Sequence, residues 1–377
     1  MEPKGFVRPG FEPVRDAFVR NFDQGRELGA SVAVTRDGES VVDLWAGDAD
    51  TDGTPWQEDT IVNVYSTTKT MAGACVLLLA DRGQVDLNAP VASYWPEFAQ
   101  NGKERVLVSH VMSHSAGLSG FDPPVEKVEE LYDWNQIAER LAAQRPWWEP
   151  GTASGYHAIT QGYLQGEIVR RVTGKSIGTF FREEFAEPLG ADFHIGLDAS
   201  AEPRRGRLVP PDAPLGDAAT DPGSIGARTM QSCVLEATDS HTAEWARAEI
   251  PAAGGTGNAR SVARVHSALA CGGTVDGVRI LSPEGVERAL EVQIDGTDLV
   301  LGMQIRFGMG YGLSMAGMPI SPNERAFFWG GWGGSLAIVD LDARVSIAYV
   351  MNRMESGVTG DLRGGAIAMA AYQSLAG

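Results

Sequence analysis

The chain has little cysteine, few cations, and no apolar run long enough to cross a membrane. Its three cysteines, Cys75, Cys233 and Cys271, form an odd and widely spaced set. Such a set gives neither a disulfide framework nor metal-ligand spacing, so no metal and no cofactor are expected. The longest apolar run, Met71 to Ala80, is about ten residues, well short of the ~18 that suggest a span. No apolar stretch follows Met1-Glu-Pro-Lys-Gly5, so no signal peptide is expected. Cations are outnumbered, 31 Lys and Arg against 49 Asp and Glu, for a net charge of −18. An acidic chain without basic runs is a poor partner for nucleic acid or anionic membrane, and its charge serves solubility. A soluble, reduced, cytoplasmic protein is the expectation.

What is present suffices for a large core. Hydrophobic residues make up 43% of the 377, which predicts one large domain with an inserted lobe, or two domains. Strand signals stand at both ends of the chain. Ala30–Thr35 and Ser40–Trp45 flank a hairpin turn at Arg36-Asp37-Gly38-Glu39. Gly310–Ser314, Ala326–Trp329, Ser335–Asp340 and Val345–Met351 repeat the pattern near the other end. Helical spacing marks Phe11–Asn21, Leu131–Gln144, Tyr163–Val172, Ile177–Phe185, Ala259–Ala270 and Gly360–Leu375. The economical architecture is α+β: one antiparallel sheet built from both chain ends and flanked by helices, with an α-helical lobe in the middle. This predicts a discontinuous α/β domain of residues 1–83 and 291–377 around a lobe of residues 84–290. Within that lobe Pro203, Pro210, Pro211, Pro214 and Pro222 mark a long irregular passage. It reads as a loop over the site's mouth or as a peripheral wrap.

The residues with chemistry gather first at Val62–Gly83, read as a buried helix with a nucleophile in its first turn. Extended Ile61-Val62-Asn63-Val64 leads into Tyr65-Ser66-Thr67-Thr68-Lys69-Thr70, and Arg82 and Gly83 are placed to close the helix. Ser66 and Lys69, three apart, share a face, and Ser66 lies among backbone N–H groups with no helical partner. A serine hydroxyl needs a neighbour to take its proton. A lysine can do so only as the free amine, its pKa lowered by burial or by positive neighbours. Alternatively, Lys69 is a solvated helix residue and Ser66 a cap. Two further stretches bear on the choice: Pro150-Gly-Thr-Ala-Ser-Gly-Tyr156-His157-Ala158, and the glycine-rich Phe328-Trp329-Gly330-Gly331-Trp332-Gly-Gly-Ser335, which lets another backbone or a substrate approach closely.

Together these stretches resemble the serine β-lactamase and penicillin-binding-protein superfamily, and more closely its class C-like esterases, the family VIII carboxylesterases. Ser66-Thr-Thr-Lys69 matches the first motif and Tyr156-His157-Ala158 the second. Trp329-Gly330-Gly331 matches the third. Ser113-His-Ser-Ala-Gly-Leu118, Pro150-Gly151 and Pro188-Leu-Gly190 fit the pattern in order, so that the resemblance spans roughly residues 12–372. It implies that Ser66 attacks an acyl carbonyl while Lys69 and Tyr156 share the proton traffic. The oxyanion would sit between the backbone N–H groups of Ser66 and Trp332, with Trp329, Gly330, Gly331 and His157 near the substrate.

The departures from the pattern bear on the substrate. Trp329 stands where lactamases carry a lysine, which removes a cation for a substrate carboxylate and a positive neighbour for Lys69. Ala158 stands where they carry asparagine, which removes an amide contact. Both losses favour small neutral esters over penicillins. Acyl transfer, amide cleavage or weak lactamase activity is the alternative on the same chemistry. A binding protein that kept the fold and lost turnover is the alternative outside it. Tyr65 is a rival tyrosine on another helix face, His114 reads as a hydrogen-bonded loop histidine, and Cys75 as a small buried hydrophobe.

Overall fold

The computed structural model describes residues 1–212, 221–315, 317 and 319–376. Among them nine strands form one antiparallel sheet. They are β1 (Lys4–Val7), β2 (Gly29–Arg36), β3 (Glu39–Gly47), β4 (Ile294–Thr297), β5 (Gln304–Phe307), β6 (Gly312–Leu313), β7 (Ala326–Gly330), β8 (Leu336–Asp340) and β9 (Val345–Met351). Their order is β1-β3-β2-β9-β8-β7-β6-β5-β4, so the two chain ends meet where β2 pairs with β9. The β2–β3 hairpin turns at Asp37 and Gly38, both at positive φ (52° and 83°), the conformation that matches strand twist. Strands β1, β4 and β5 were not expected from the sequence. They are four residues each and lie toward the sheet's two edges, too short for a periodic pattern to stand out.

Helices cover both faces of the sheet. Tyr349 and Leu336 are cross-strand partners, and both lie against Gly364 of α5 (Leu362–Ala376), which packs on α1 (Glu12–Asp23). Ser31 pairs with Val350, one residue along and therefore on the opposite face. It accepts a hydrogen bond from Ala259 N–H at the start of α4 (Ala259–Ala270). Every residue of β8 and β9 is buried as a result.

The expected helix over Val62–Gly83 is three elements. Val62–Asn63 is a short strand against Thr256–Gly257, Tyr65–Thr67 is a 3₁₀ turn, and α2 runs from Thr68 to Asp81. Branched Ile61, Val62 and Val64 favour extended backbone, and Tyr65 at φ 44° is left-handed, which a continuous helix excludes. Gly83, at φ 68°, provides the left-handed stop. Arg82 does not serve the last carbonyls; it pairs with Glu184 at 2.5 Å. α2 is buried from Thr68 through Ala80, Cys75 included, and it packs on α3 (Thr160–Thr173), which ends at left-handed Gly174. The expected helix Leu131–Gln144 begins at Trp134 because Asp133 caps it. That over Ile177–Phe185 loosens into a π turn after Phe181. Of the proline-rich passage, Val209 is bonded to Asn352 and Met354 beyond the end of β9, and Pro214 lies outside the described residues.

Candidate active site

The site forms where the 3₁₀ turn before α2 meets the turn between β7 and β8. Ser335 Oγ donates to Val64 O at 2.8 Å and lies 2.8 Å from Thr67 Oγ1, tying the two turns together. The glycines make the approach possible. A Cβ at Gly331 would stand 2.2 Å from Val64 O and 3.2 Å from Ser66 N, and one at Gly330 would stand 2.4 Å from Thr359 O. Both glycines therefore accommodate neighbouring backbone, and neither lines the cavity in front of Ser66, where the resemblance placed them near the substrate. Among the described residues, neither Ser66 N–H nor Trp332 N–H has a hydrogen-bond acceptor, and both residues line the cavity in front of Ser66. Two free donors at such a position can stabilise a developing oxyanion.

Ser66 Oγ lies between two polar groups, 3.0 Å from Lys69 Nζ and 2.6 Å from Tyr156 Oη. Lys69, 1% exposed, also donates to Ala158 O at 2.7 Å and Ala252 O at 2.9 Å. Burial pushes its pKa well below the ordinary lysine value. As a free amine it gives its two N–H bonds to those carbonyls and turns its lone pair to Ser66 O–H. Tyr156 O–H then donates to Ser66 Oγ, and Trp329 Nε1–H, 3.4 Å away, donates to Tyr156 Oη. Every donor in this chain has an acceptor when Lys69 is neutral. With Lys69 charged, its third N–H would also point at Ser66 Oγ, and the serine proton would lose its partner. Tyr156 is pushed up to about 12, by burial against the opposing hydrogen bonds of Ser66 and Trp329, and remains a phenol at neutral pH.

The structure separates the other expected residues from the substrate space. Trp329 is buried behind Tyr156, packed with Phe307 and His114, so it contacts the tyrosine rather than a ligand. His157 is also buried. Its Nε2 accepts from Leu118 N–H at 3.1 Å and its Nδ1–H donates to Gly155 O at 2.6 Å. Burial lowers it to about 3, so it is a neutral structural group rather than a substrate contact. His114 Nδ1 accepts from His157 N–H at 3.0 Å, the bonded loop histidine expected. Tyr65 points away from Ser66 Oγ, its hydroxyl 3.3 Å from Ala237 O and its ring on Trp332.

Tyr65, Tyr156, Ala158 and Trp332 line the cavity from stretches already singled out, and the rest of its walls come from segments that sequence reasoning missed. Ser119 and Phe121 form one side, Thr229, Met230, Cys233 and Leu235 another, and among the described residues no charged side chain lines the space. No motif marks the 229–235 wall.

Residues 15–372 match the beta-lactamase family. The esterase/beta-lactamase LipL of Mycobacterium tuberculosis is 38% identical over 366 residues, covering 93% of this chain and 83% of that protein. A solved family VIII carboxylesterase is 43% identical with a TM-score of 0.93, over 99% of this chain and 100% of its own. A penicillin-binding-protein homologue from Caulobacter crescentus is 40% identical with a TM-score of 0.93 over the same shares. The family match begins within α1, ends within α5 and encloses every residue of the site; the chain belongs to the beta-lactamase family.

Proposed function

We propose that the chain is a serine esterase that hydrolyses small neutral carboxylic esters through an acyl-serine intermediate. The observation that carries this reading is the ordered chain Trp329–Tyr156–Ser66–Lys69 opening on a cavity with no charged side chain among its described lining residues. Neutral Lys69 takes the Ser66 proton as Oγ bonds to the ester carbonyl carbon. The negative charge that forms on the carbonyl oxygen is held by the N–H groups of Ser66 and Trp332. The C–O bond to the alcohol then breaks, and Tyr156 passes its proton to the leaving oxygen while Lys69 restores the phenol. Water enters, loses a proton to the same pair, and releases the acid and Ser66.

Cavity lining and charge support the substrate class. Phe121, Ile159, Met230 and Leu235 give the cavity apolar walls, which suit an uncharged acyl group. An uncharged wall offers a substrate carboxylate no partner. The names of the family VIII carboxylesterase and of LipL agree with ester cleavage. LipL's name also favours a second reading, slow lactam turnover on the same serine. Three unpaired thiols, Cys75, Cys233 and Cys271, fit the cytoplasmic setting expected from the sequence.

The test is a series of p-nitrophenyl esters of rising acyl length, run beside a penicillin and a cephalosporin. Short esters should be turned over fastest and the lactams little. Lactam turnover equal to that of the esters would overturn the substrate assignment.

A further inference from the structure

Tyr156 sits on a loop between helices, and a loop alone does not hold a phenol at 2.6 Å from a hydroxyl. Its backbone is anchored from the far edge of the sheet. Asp298, in the β4–β5 connection and 1% exposed, accepts Tyr156 N–H at 3.0 Å on Oδ1. The same oxygen accepts Val300 N–H and Leu301 N–H, each at 2.9 Å. Leu299 N–H donates to Ser154 O at 2.8 Å, so the two loops are joined twice within three residues. Val300 and Leu301 also pack on the small cluster of Tyr156, Ile305, Phe307 and Trp329. Among the described residues, Asp298 Oδ2 is buried with no hydrogen-bond partner. A carboxylate buried this deeply is costly, and a loop cap alone would not require one. A serine accepts the same i+2 and i+3 N–H groups.

Resting on the esterase reading above, we propose that Asp298 is a positioning residue for the reaction, fixing Tyr156 so that its phenol meets Ser66 and the leaving oxygen. It does not itself line the cavity and has no contact with Ser66; it reaches the site only through the backbone of Tyr156. Its effect therefore falls on kcat and runs through the phenol. A misplaced acid group loses rate without losing substrate affinity.

The experiment is steady-state hydrolysis of p-nitrophenyl acetate by wild type, Asp298→Ser, Tyr156→Phe and the double variant, with thermal melts on each. Asp298→Ser keeps the loop cap but reaches Tyr156 N–H no longer. It should lose tenfold or more in kcat, with KM within twofold, and cause no further loss in the Tyr156→Phe background. Unchanged kcat, a raised KM, or the same fold-loss in both backgrounds would overturn the proposal. Should Asp298→Ser not be recovered folded, Asp298→Asn is read in the same cycle. Its neutral amide oxygen accepts more weakly, a loss of about threefold in kcat is expected, and wild-type kcat would overturn the proposal. Wild-type turnover is the reference for all of these. Its absence would refute the esterase reading itself, whereas a silent Asp298 variant in an active enzyme refutes only the inference.

Discussion

At the scale of single residues, the account turns on the protonation of Lys69. Ser66→Ala should abolish ester turnover. Lys69→Ala and Tyr156→Phe should each lower kcat by about 10²–10⁴-fold, and the double variant should lose little more, because the two act as one unit. The pH dependence follows from direction. Burial lowers Lys69 below the usual lysine range, and the ammonium form cannot accept the serine proton. Activity should therefore rise with pH through that lowered pKa and then level. Tyr156, pushed up to about 12, should impose no alkaline fall across the ordinary assay range. A pH–rate profile of kcat/KM checks this, and activity that rises as pH falls would contradict it. Trp329→Phe keeps a ring behind Tyr156 but removes its N–H donor, so kcat should fall only a few-fold, as one weak neutral hydrogen bond allows.

At the scale of elements, the site depends on two turns approaching each other more closely than a side chain permits. Gly331→Ala would drive a methyl into Val64 O and toward Ser66 N. Activity should fall by about 10²-fold or more if the two N–H groups serve as donors, measured as kcat on p-nitrophenyl acetate. The same scale explains what was legible in the sequence. Ser66, Lys69 and Tyr156 could be picked out because small loop residues and a buried helix surround them, and the β2, β3, β7, β8 and β9 strands because they are apolar or alternating runs, rich in β-branched and aromatic residues, bounded by turn signals. Strands β4 and β5, at and next to one edge of the sheet, were not, since four residues each are too few for a pattern to stand out. The clamp from Asp298 to Tyr156 spans 142 positions, and no local pattern encodes such a contact. Trp329 was misplaced for a related reason: a motif gives the residue but not which way its ring turns.

At the scale of the whole molecule, the chain ends are locked together by a buried ionic group. Arg363 of α5, fully buried, pairs with Asp361 at 2.7 Å and Glu27 at 3.1 Å, and donates to Gly333 O at 2.6 Å. Tyr349 of β9 donates to Glu27. Arg363→Met would leave two carboxylates without their cation, a loss of roughly 3–5 kcal/mol, seen as a lowered midpoint in thermal or urea unfolding. Burial raises Glu27 to about 7 against the pull of Arg363. Between its ordinary value of 4.5 and about 7, the folded state holds the proton more tightly than the unfolded. Stability from this group thus falls as pH rises through that window. Glu27→Gln should flatten that part of the curve of Tm against pH, and parallel curves would contradict it. The central claim, an acyl-serine at Ser66, is tested most directly by quenching turnover of p-nitrophenyl butyrate with acid and sequencing the modified peptide by mass spectrometry. The account predicts a butyryl group on Ser66 that is absent from Ser66→Ala; a butyryl group on another residue, or full turnover by Ser66→Ala, would contradict it.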